Sequence, residues 1–303
     1  MAASSGLSIV DKPAGLTSHD VVARIRRLAG TRKVGHAGTL DPMATGVLIV
    51  GVERATRILG QLAATEKSYE ATVRLGASTV TDDAEGEVLL SVPAGHLSEG
   101  QLVSATAGFL GAQQQVPSAV SAVKVAGRRA YDRVRAGEEV ALAPRLISIT
   151  RLLVRDIRRP APEIVDVDLT VDCSTGTYIR ALARDLGAVL GVGGHLTALR
   201  RTRVGPFDVS AARSLDQLAA LPTPVVIGLS DAVAACLPRR DIDTEQARLL
   251  SHGRPLAPAG IPGTYGAFAP DGTVVALLAE SAGAARPVVV LAPAGPPAAE
   301  LSP

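Results

Sequence analysis

Tryptophan is absent, and aromatic residues make up only 2% of the 303-residue chain. A protein that handles unpaired bases by stacking must then do so with very few rings. Each tyrosine, at Tyr69, Tyr131, Tyr178 and Tyr265, is therefore worth placing. Lysine is scarce too: Lys12, Lys33, Lys67 and Lys124 are the four among 31 basic residues, and all lie in the first half. Two cysteines, Cys173 and Cys236, with no CxxC spacing and no histidine cluster beside them, argue against a disulfide framework or a zinc site. No apolar run approaches about 18 residues, so no transmembrane helix is expected. The first residues lack a charged region followed by an apolar one, so no signal peptide is expected and the protein is expected to be cytoplasmic. Net charge is only +2, so any basic surface must be a patch offset by acid elsewhere, as at Asp82-Asp83-Ala84-Glu85 and Glu138-Glu139.

What is present is globular in character: 47% hydrophobic and 20% charged, with room for one large domain and a small second one. The most informative stretch is Gly35-His36-Ala37-Gly38-Thr39-Leu40-Asp41-Pro42-Met43-Ala44-Thr45-Gly46, followed at once by the apolar run Val47 to Val52. Its pattern is a tight loop feeding a buried strand. Glycines permit positive φ and close approach of another backbone or a ligand. Pro42 pushes Asp41 out of the helical region. A single carboxylate is thus framed beside a single imidazole, His36.

Taken whole, that string resembles the catalytic motif of the pseudouridine synthases that act at tRNA position 55, the TruB family. Five further stretches extend the resemblance over roughly residues 7 to 207. Lys12-Pro13-Ala14-Gly15-Leu16-Thr17-Ser18 resembles the first motif, which packs on the catalytic loop. Lys67-Ser68-Tyr69 opens a strand in which Tyr69, Ala71, Val73 and Leu75 share a face. Spacing alone makes Tyr69 a core residue; the resemblance implies that it stacks on a flipped uracil, and its hydroxyl near the base suits late proton transfer. Gln113 to Lys124 resembles a segment near the base pocket. Gly176-Thr177-Tyr178-Ile179-Arg180 resembles the motif whose Arg pairs with the catalytic Asp. Leu199-Arg200-Arg201 resembles the last motif, in which Leu199 would pack on the uracil. The string departs from the family at Ala37 and Thr39, and aromatics are sparse around Val120.

The resemblance implies an α+β pseudouridine synthase fold: a mixed, largely antiparallel curved sheet flanked by helices, plus a small β-rich, PUA-like RNA-binding domain. The expected division is 1–236, 237–293 and a disordered tail over 294–303. Asp41, Tyr69 and Arg180 are implied as catalytic, with an Arg180–Asp41 ion pair. Lys12, His36, Lys124, Tyr178, Leu199 and Arg201 are implied to touch substrate, with His36 filling the place the base vacates. The implied reaction converts uridine 55 in the T-arm loop to pseudouridine, by base flipping and cleavage of the N1–C1′ bond. Asp41 attacks either C6 or C1′. The expected partner is tRNA, bound by a monomer without metal or other cofactor. A non-catalytic tRNA-binding or tRNA-folding protein on the same scaffold is the rival, and a glycoside-type enzyme would want a paired carboxylate that does not stand out.

Local signals fill in the rest. Val21, Ile25 and Leu28 recur at helical spacing up to Gly30, with Arg24, Arg26, Arg27, Arg32 and Lys33 either a solvated face or phosphate contacts. Glu53 to Leu62 and Ser98 to Leu110 read as helices, the latter with a Ser98/Gln101 capping box. Gly127 to Arg135 reads as a basic helical piece facing RNA. Arg145 to Val154 is a strand, and Val165 to Cys173 alternates apolar with acidic residues, so one face is buried. Ser174-Thr175-Gly176 is expected to cap a helix with Ile179, Leu182, Leu186 and Val189 inward. His195 reads as a capped or core histidine, and Arg200, Arg201 and Arg203 are open to structural or phosphate roles. Beyond Leu237, Asp243 with Gln246 caps a short helix ending at Gly253, two strands join through Pro270-Asp271-Gly272, and Val288 to Leu291 is another strand.

Overall fold

The computed structural model describes residues 4–119, 142–294 and, for the backbone only, the pairs 124–125 and 128–129. Its main sheet has ten strands among the described residues. In chain order the strands are β1 (Gly6–Lys12), β2 (Val34–His36), β3 (Thr45–Val52), β4 (Lys67–Leu75), β5 (Ala77–Thr79), β6 (Val88–Ser91) and β7 (Gly111–Gln115). Then come β8 (Lys124–Val125), β9 (Arg128–Arg129), β10 (Arg145–Ala161), β11 (Ile164–Cys173), β12 (Gly194–Val204), β13 (Phe207–Asp208) and β14 (Ile227–Gly228). Along the sheet the order is β14-β1-β3-β12-β4-β11-β10-β7, with β2 on β3 and β13 on β12. Every pairing is antiparallel except β12 with β3, where Arg200 faces Thr45 and Arg201 faces Gly46. The sheet is thus mixed and largely antiparallel, as expected. The one parallel seam brings the last motif against the end of the catalytic loop.

The two halves of this sheet bury different amounts of surface, and the sequence shows it. On β3, Val47 and Ile49 enter one core while Leu48, Val50 and Val52 enter another. Both faces are covered, so the strand reads as an unbroken apolar run. Helices α1 (Ser18–Ala29) and α5 (Leu215–Ala219) cover the Leu48 face. Helix α2 (Leu59–Ala63) and α6 (Leu229–Cys236) cover the Val47 face. In the other half only one face is buried. Tyr69, Val73, Leu75, Val167, Leu169, Val171 and Leu196 pack beneath α3 (Glu99–Ala107) and α4 (Ile179–Val189). The opposite face carries a polar ladder: Arg74 binds both oxygens of Asp166 at 2.8 Å, and Thr72 and Arg158 each reach Asp168 at 2.7 Å. Cross-strand pairs of this kind let an acidic alternation sit on a sheet.

Caps follow the sequence. Thr17 with Asp20 and Ser98 with Gln101 form capping boxes, and Gly30 ends α1 at φ 64°. Four expectations are corrected. Residues Glu53–Ile58 form a 3-10 turn before α2 rather than one helix. Val189 is 67% exposed, because α4 ends there and turns away from the sheet. No side chain of Ser174-Thr175-Gly176 caps α4; Tyr178 is its N-cap residue and makes no side-chain cap. Arg128–Arg129 is a strand paired with Lys124–Val125, not helix, and the rest of 127–135 lies outside the described residues.

The C-terminal region forms a second sheet, β15 (Arg239–Asp241), β16 (Thr264–Phe268), β17 (Val274–Ser281) and β18 (Ala284–Val290), in that order. One face takes helix α7 (Thr244–Ser251), capped by Asp243 with Gln246, around Leu250, Tyr265 and Leu278. The other face joins the main body through Phe268, Val274 and Leu277 against α6 and β1. Arg54 and Arg57 donate to the carbonyls of Leu291 and Val290 across this junction. The tail beyond residue 294 lies outside the described residues. Among the described residues no helix is long and apolar enough to cross a membrane.

Gly46 sits at φ 98°, where an added Cβ would meet the Arg201 carbonyl oxygen at 2.2 Å. Helical Gly60 has nothing within 4 Å. We expect Gly46→Ala to cost more than about 1 kcal/mol and Gly60→Ala to be neutral or stabilising by up to about 1 kcal/mol. Thermal melting of both variants checks this; equal shifts would contradict the parallel seam as the tight point.

Candidate active site

Hydrogen bonds to its backbone hold the Asp41 loop, together with Leu40 and Ala44 packed in the core. Ser18, buried at the start of α1, accepts from the Leu40 N–H at 2.9 Å and donates to the Leu40 carbonyl at 3.1 Å. Gly15 N–H donates to the Pro42 carbonyl at 2.9 Å. Two buried cations complete the frame. Lys12 Nζ donates to the carbonyls of Pro13, Leu16 and Pro42 at 2.9, 2.7 and 3.1 Å. Arg201, 1% exposed, donates to the carbonyls of Val47, Thr39 and Gly38 at 2.7, 3.3 and 3.2 Å. Charged donors on neutral carbonyls are strong bonds in a dry interior. They fix residues 38, 39 and 42 on either side of Asp41.

Asp41 itself meets Arg180 in a two-pronged contact: Nε to Oδ2 at 3.0 Å and Nη2 to Oδ1 at 3.2 Å. This is the ion pair expected from the sequence. It forms because α4 starts where β12, β4 and the loop converge. The third guanidinium nitrogen, Nη1, donates to the Thr81 carbonyl at 2.8 Å and lies 3.4 Å from Asp83 Oδ2. Asp83 is buried, and its Oδ1 accepts from Thr81 Oγ1 and the Glu85 N–H. Arg180 thus bridges two carboxylates, one closed off and one, Asp41, with a third of its side chain exposed. The turn holding Asp82 and Asp83 spends its acids inward, since Asp82 pairs with Arg184 at 3.3 Å. Burial pushes the Asp82 carboxyl up, against the pull of Arg184 and Arg180. Among the described residues no cluster of three or more His, Cys, Asp or Glu could hold a metal ion.

A cavity of about 240 Å³ opens over the Asp41–Arg180 pair. Tyr69, Tyr178, Leu199, Arg201, Lys67 and Gly38 contribute to its walls. Burial raises the Tyr69 phenol above its ordinary range, so it stays protonated. Tyr178 is set by Gln115, which accepts from its N–H at 2.8 Å and donates to its carbonyl at 3.1 Å. A wider groove of about 470 Å³ lies beyond Leu199, walled by Thr45, Glu70, Asp168 and Arg200.

Six of the nine residues singled out in the sequence share this cavity: Asp41, Tyr69, Tyr178, Arg180, Leu199 and Arg201. Lys12 does not reach it. Its buried ammonium lies under the loop, so the expected substrate contact is replaced by bracing. Burial pushes Lys12 down to about 8, partly offset by Asp41. His36 stands outside the cavity walls on β2, edge-on to His19 at 5.6 Å between ring centres. Burial, then His19, lowers its pKa. The Lys124 side chain lies outside the described residues. His195 is a core histidine bonded to the Ala77 carbonyl at 2.9 Å. Sequence reading gave no site role to Asp83 or His19, and placed Gln115 only within the stretch near the base pocket. A buried acid two residues into a turn carries no periodic signal.

Replacing Arg180 by Met would leave Asp83 buried without its cation, at a cost of about 3 kcal/mol. Asp41→Asn should cost less, since Asp41 retains solvent contact. Denaturant unfolding of both variants measures this; an Arg180→Met protein as stable as the parent would contradict the bridging role.

Comparison with known proteins accords with this geometry. The model of the TruB family pseudouridylate synthase N-terminal domain matches residues 26–179. Two C-terminal models, of tRNA pseudouridylate synthase B and of tRNA pseudouridine synthase II, match 180–223 and 237–292. A tRNA pseudouridine synthase B from Nocardia farcinica is 58% identical over 290 residues, covering 96% of this chain and 94% of that protein. One from Thermobifida fusca is 59% identical over 292 residues, covering 95% and 99%. Among solved structures, a Cbf5-Nop10-Gar1 complex superposes with a TM-score of 0.72 at 26% identity, covering 95% of this chain and 85% of that one. With the family model spanning half the chain and relatives this similar along nearly all of it, the chain belongs to the TruB family of pseudouridine synthases.

Proposed function

We propose that this chain converts uridine 55 in the T-arm loop of tRNA to pseudouridine, with Asp41 as its reacting carboxylate. The observation that carries the reading is the two-pronged Arg180–Asp41 contact at the base of a cavity walled by Tyr69 and Leu199. The names of the similar relatives, tRNA pseudouridine synthase B, support tRNA as the substrate.

The chemistry follows from the parts. A target base stacked in RNA exposes neither C6 nor C1′, so it must leave the stack. The cavity takes a single pyrimidine, with Tyr69 offering a ring face and Leu199 an apolar wall. Arg180 aims the Asp41 carboxylate at the cavity while Asp83 holds the guanidinium from behind, so little reorganisation is needed when water leaves. The N1–C1′ bond breaks, the base turns, and C5 bonds to C1′. Nothing is oxidised or transferred from outside, so the isomerisation itself calls for no cofactor. Phosphates would meet exposed Arg24, Arg26, Arg27 and Arg32 on and just after α1, and affinity should fall with salt. We assign residues 1–236 to catalysis and 237–293 to a PUA-like RNA-binding domain, with His36 and His19 meeting the RNA beside the vacated position.

Incubating the protein with unmodified tRNA transcript and mapping pseudouridine tests this. We expect modification at position 55, and a loss on the order of a thousandfold or more in Asp41→Asn with tRNA binding retained. Turnover by Asp41→Asn at the parent rate, or pseudouridine at another position only, would overturn the reading.

A further inference from the structure

Lys67 is a buried amine in the cavity that the steps above do not use. It opens β4, is 7% exposed, and its stem lies against the catalytic loop, where a Cβ on Gly38 would sit 3.6 Å from its Cε. Its Nζ donates to the carbonyls of Ala63 and Thr65 at 2.9 and 2.8 Å. Lys12 offers an internal contrast. Three carbonyls surround Lys12 Nζ, which matches the three N–H bonds of an ammonium and leaves a neutral amine one short. Two carbonyls at Lys67 match the two N–H bonds of a neutral amine, and Lys67 lines the cavity.

The surroundings of Lys67 make that neutral form easier to reach than in water. Burial brings its pKa down to about 8, and Arg201, from β12, adds to the effect as a like charge. Cys173, from β11, is its other titratable neighbour; burial pushes that thiol up to about 11, so it supplies no countercharge near neutrality. Across the cavity, Asp41 is engaged by Arg180, and Tyr69 on the same strand is a protonated phenol.

We propose that Lys67 is the base that removes the proton from C5 of the rearranged uracil. The proposal rests on the function proposed above. Once C5 has bonded to C1′, it still carries its hydrogen. The Lys67 lone pair takes that hydrogen as a proton. The C5–H electron pair becomes the C5=C6 double bond, and the C6=N1 pair moves onto N1; with Asp41 bonded at C6, the same pair expels the carboxylate. N1 takes up one proton, from the Lys67 ammonium or from water, so protons balance over the cycle. General bases of this kind contribute about 10²- to 10⁴-fold. A phenol kept protonated by burial has no comparable lone pair, so Tyr69 is left as the stacking surface.

Single-turnover conversion of full-length tRNA transcripts carrying uridine or [5-²H]uridine tests this. We expect Lys67→Met and Lys67→Arg both to slow conversion by at least about a hundredfold, to bind tRNA within about threefold of the parent, and to show a C5 isotope effect above about 2. Arg retains the charge and donors but is no base near neutrality, so Lys67→Arg activity close to the parent would assign Lys67 a bracing role and overturn the proposal. Slow conversion without a rise in the isotope effect would also overturn it. Should neither variant fold, the parent enzyme decides: with deuterated substrate its rate should climb about tenfold per pH unit below about 8 and then level, and a flat profile contradicts the assignment. A parent enzyme that makes no pseudouridine would instead bring down the function on which this rests.

Discussion

Buried cations bonded to backbone carbonyls are the constraint on which the structure depends. Lys12 and Arg201 enter the interior and each donates to three peptide oxygens. Burying a charge is costly unless its donors are all used. Here three of the six bonds fall on the loop that carries Asp41, at Gly38, Thr39 and Pro42. An aspartate followed by proline and flanked by glycines would otherwise sample many conformations. The loop is made rigid by what lies beneath it, and its two anchors come from opposite ends of the catalytic region.

The parallel seam between β3 and β12 makes this possible. It places Arg201 against Gly46, on the strand that leaves the loop. Antiparallel pairing of β12 with β4 then sets Arg201 opposite Tyr69. One strand therefore aligns the loop, the stacking ring and Leu199. Arg180 arrives separately, on a helix start where a positive charge is unfavourable. Its position is compensated by Asp41, Asp83 and the Thr81 carbonyl together. Stability and function are coupled at that point, since the group that orients the reacting carboxylate also neutralises a closed acid.

Much of this was legible beforehand, for physical reasons that can be named. The run Val47 to Val52 reads as a strand covered on both faces, and the alternation from Val165 to Cys173 as one covered on a single face, because burial imposes those patterns directly. The Arg180–Asp41 pair was legible only through the family resemblance. The chemistry of a side chain that turns inward was not legible. Lys12 was implied to touch substrate, because a lysine beside a functional motif carries no mark of what its ammonium will meet. Asp82 and Asp83 looked like surface acid, yet close around arginines. Gln115, which sets Tyr178, lies in the stretch placed near the base pocket, but nothing there marks its bonds to the Tyr178 backbone. In each case the partner is distant in sequence and the contact is with backbone or a buried charge, neither of which leaves a period.

The most direct test of the central claim is a solved structure of the protein with a T-arm stem-loop. The account predicts the target uracil out of the stack, between Tyr69 and Leu199, with an Asp41 oxygen facing C6 or C1′ and the Arg180 contact intact. A target base still stacked in the RNA loop, or bound away from Asp41, would contradict it.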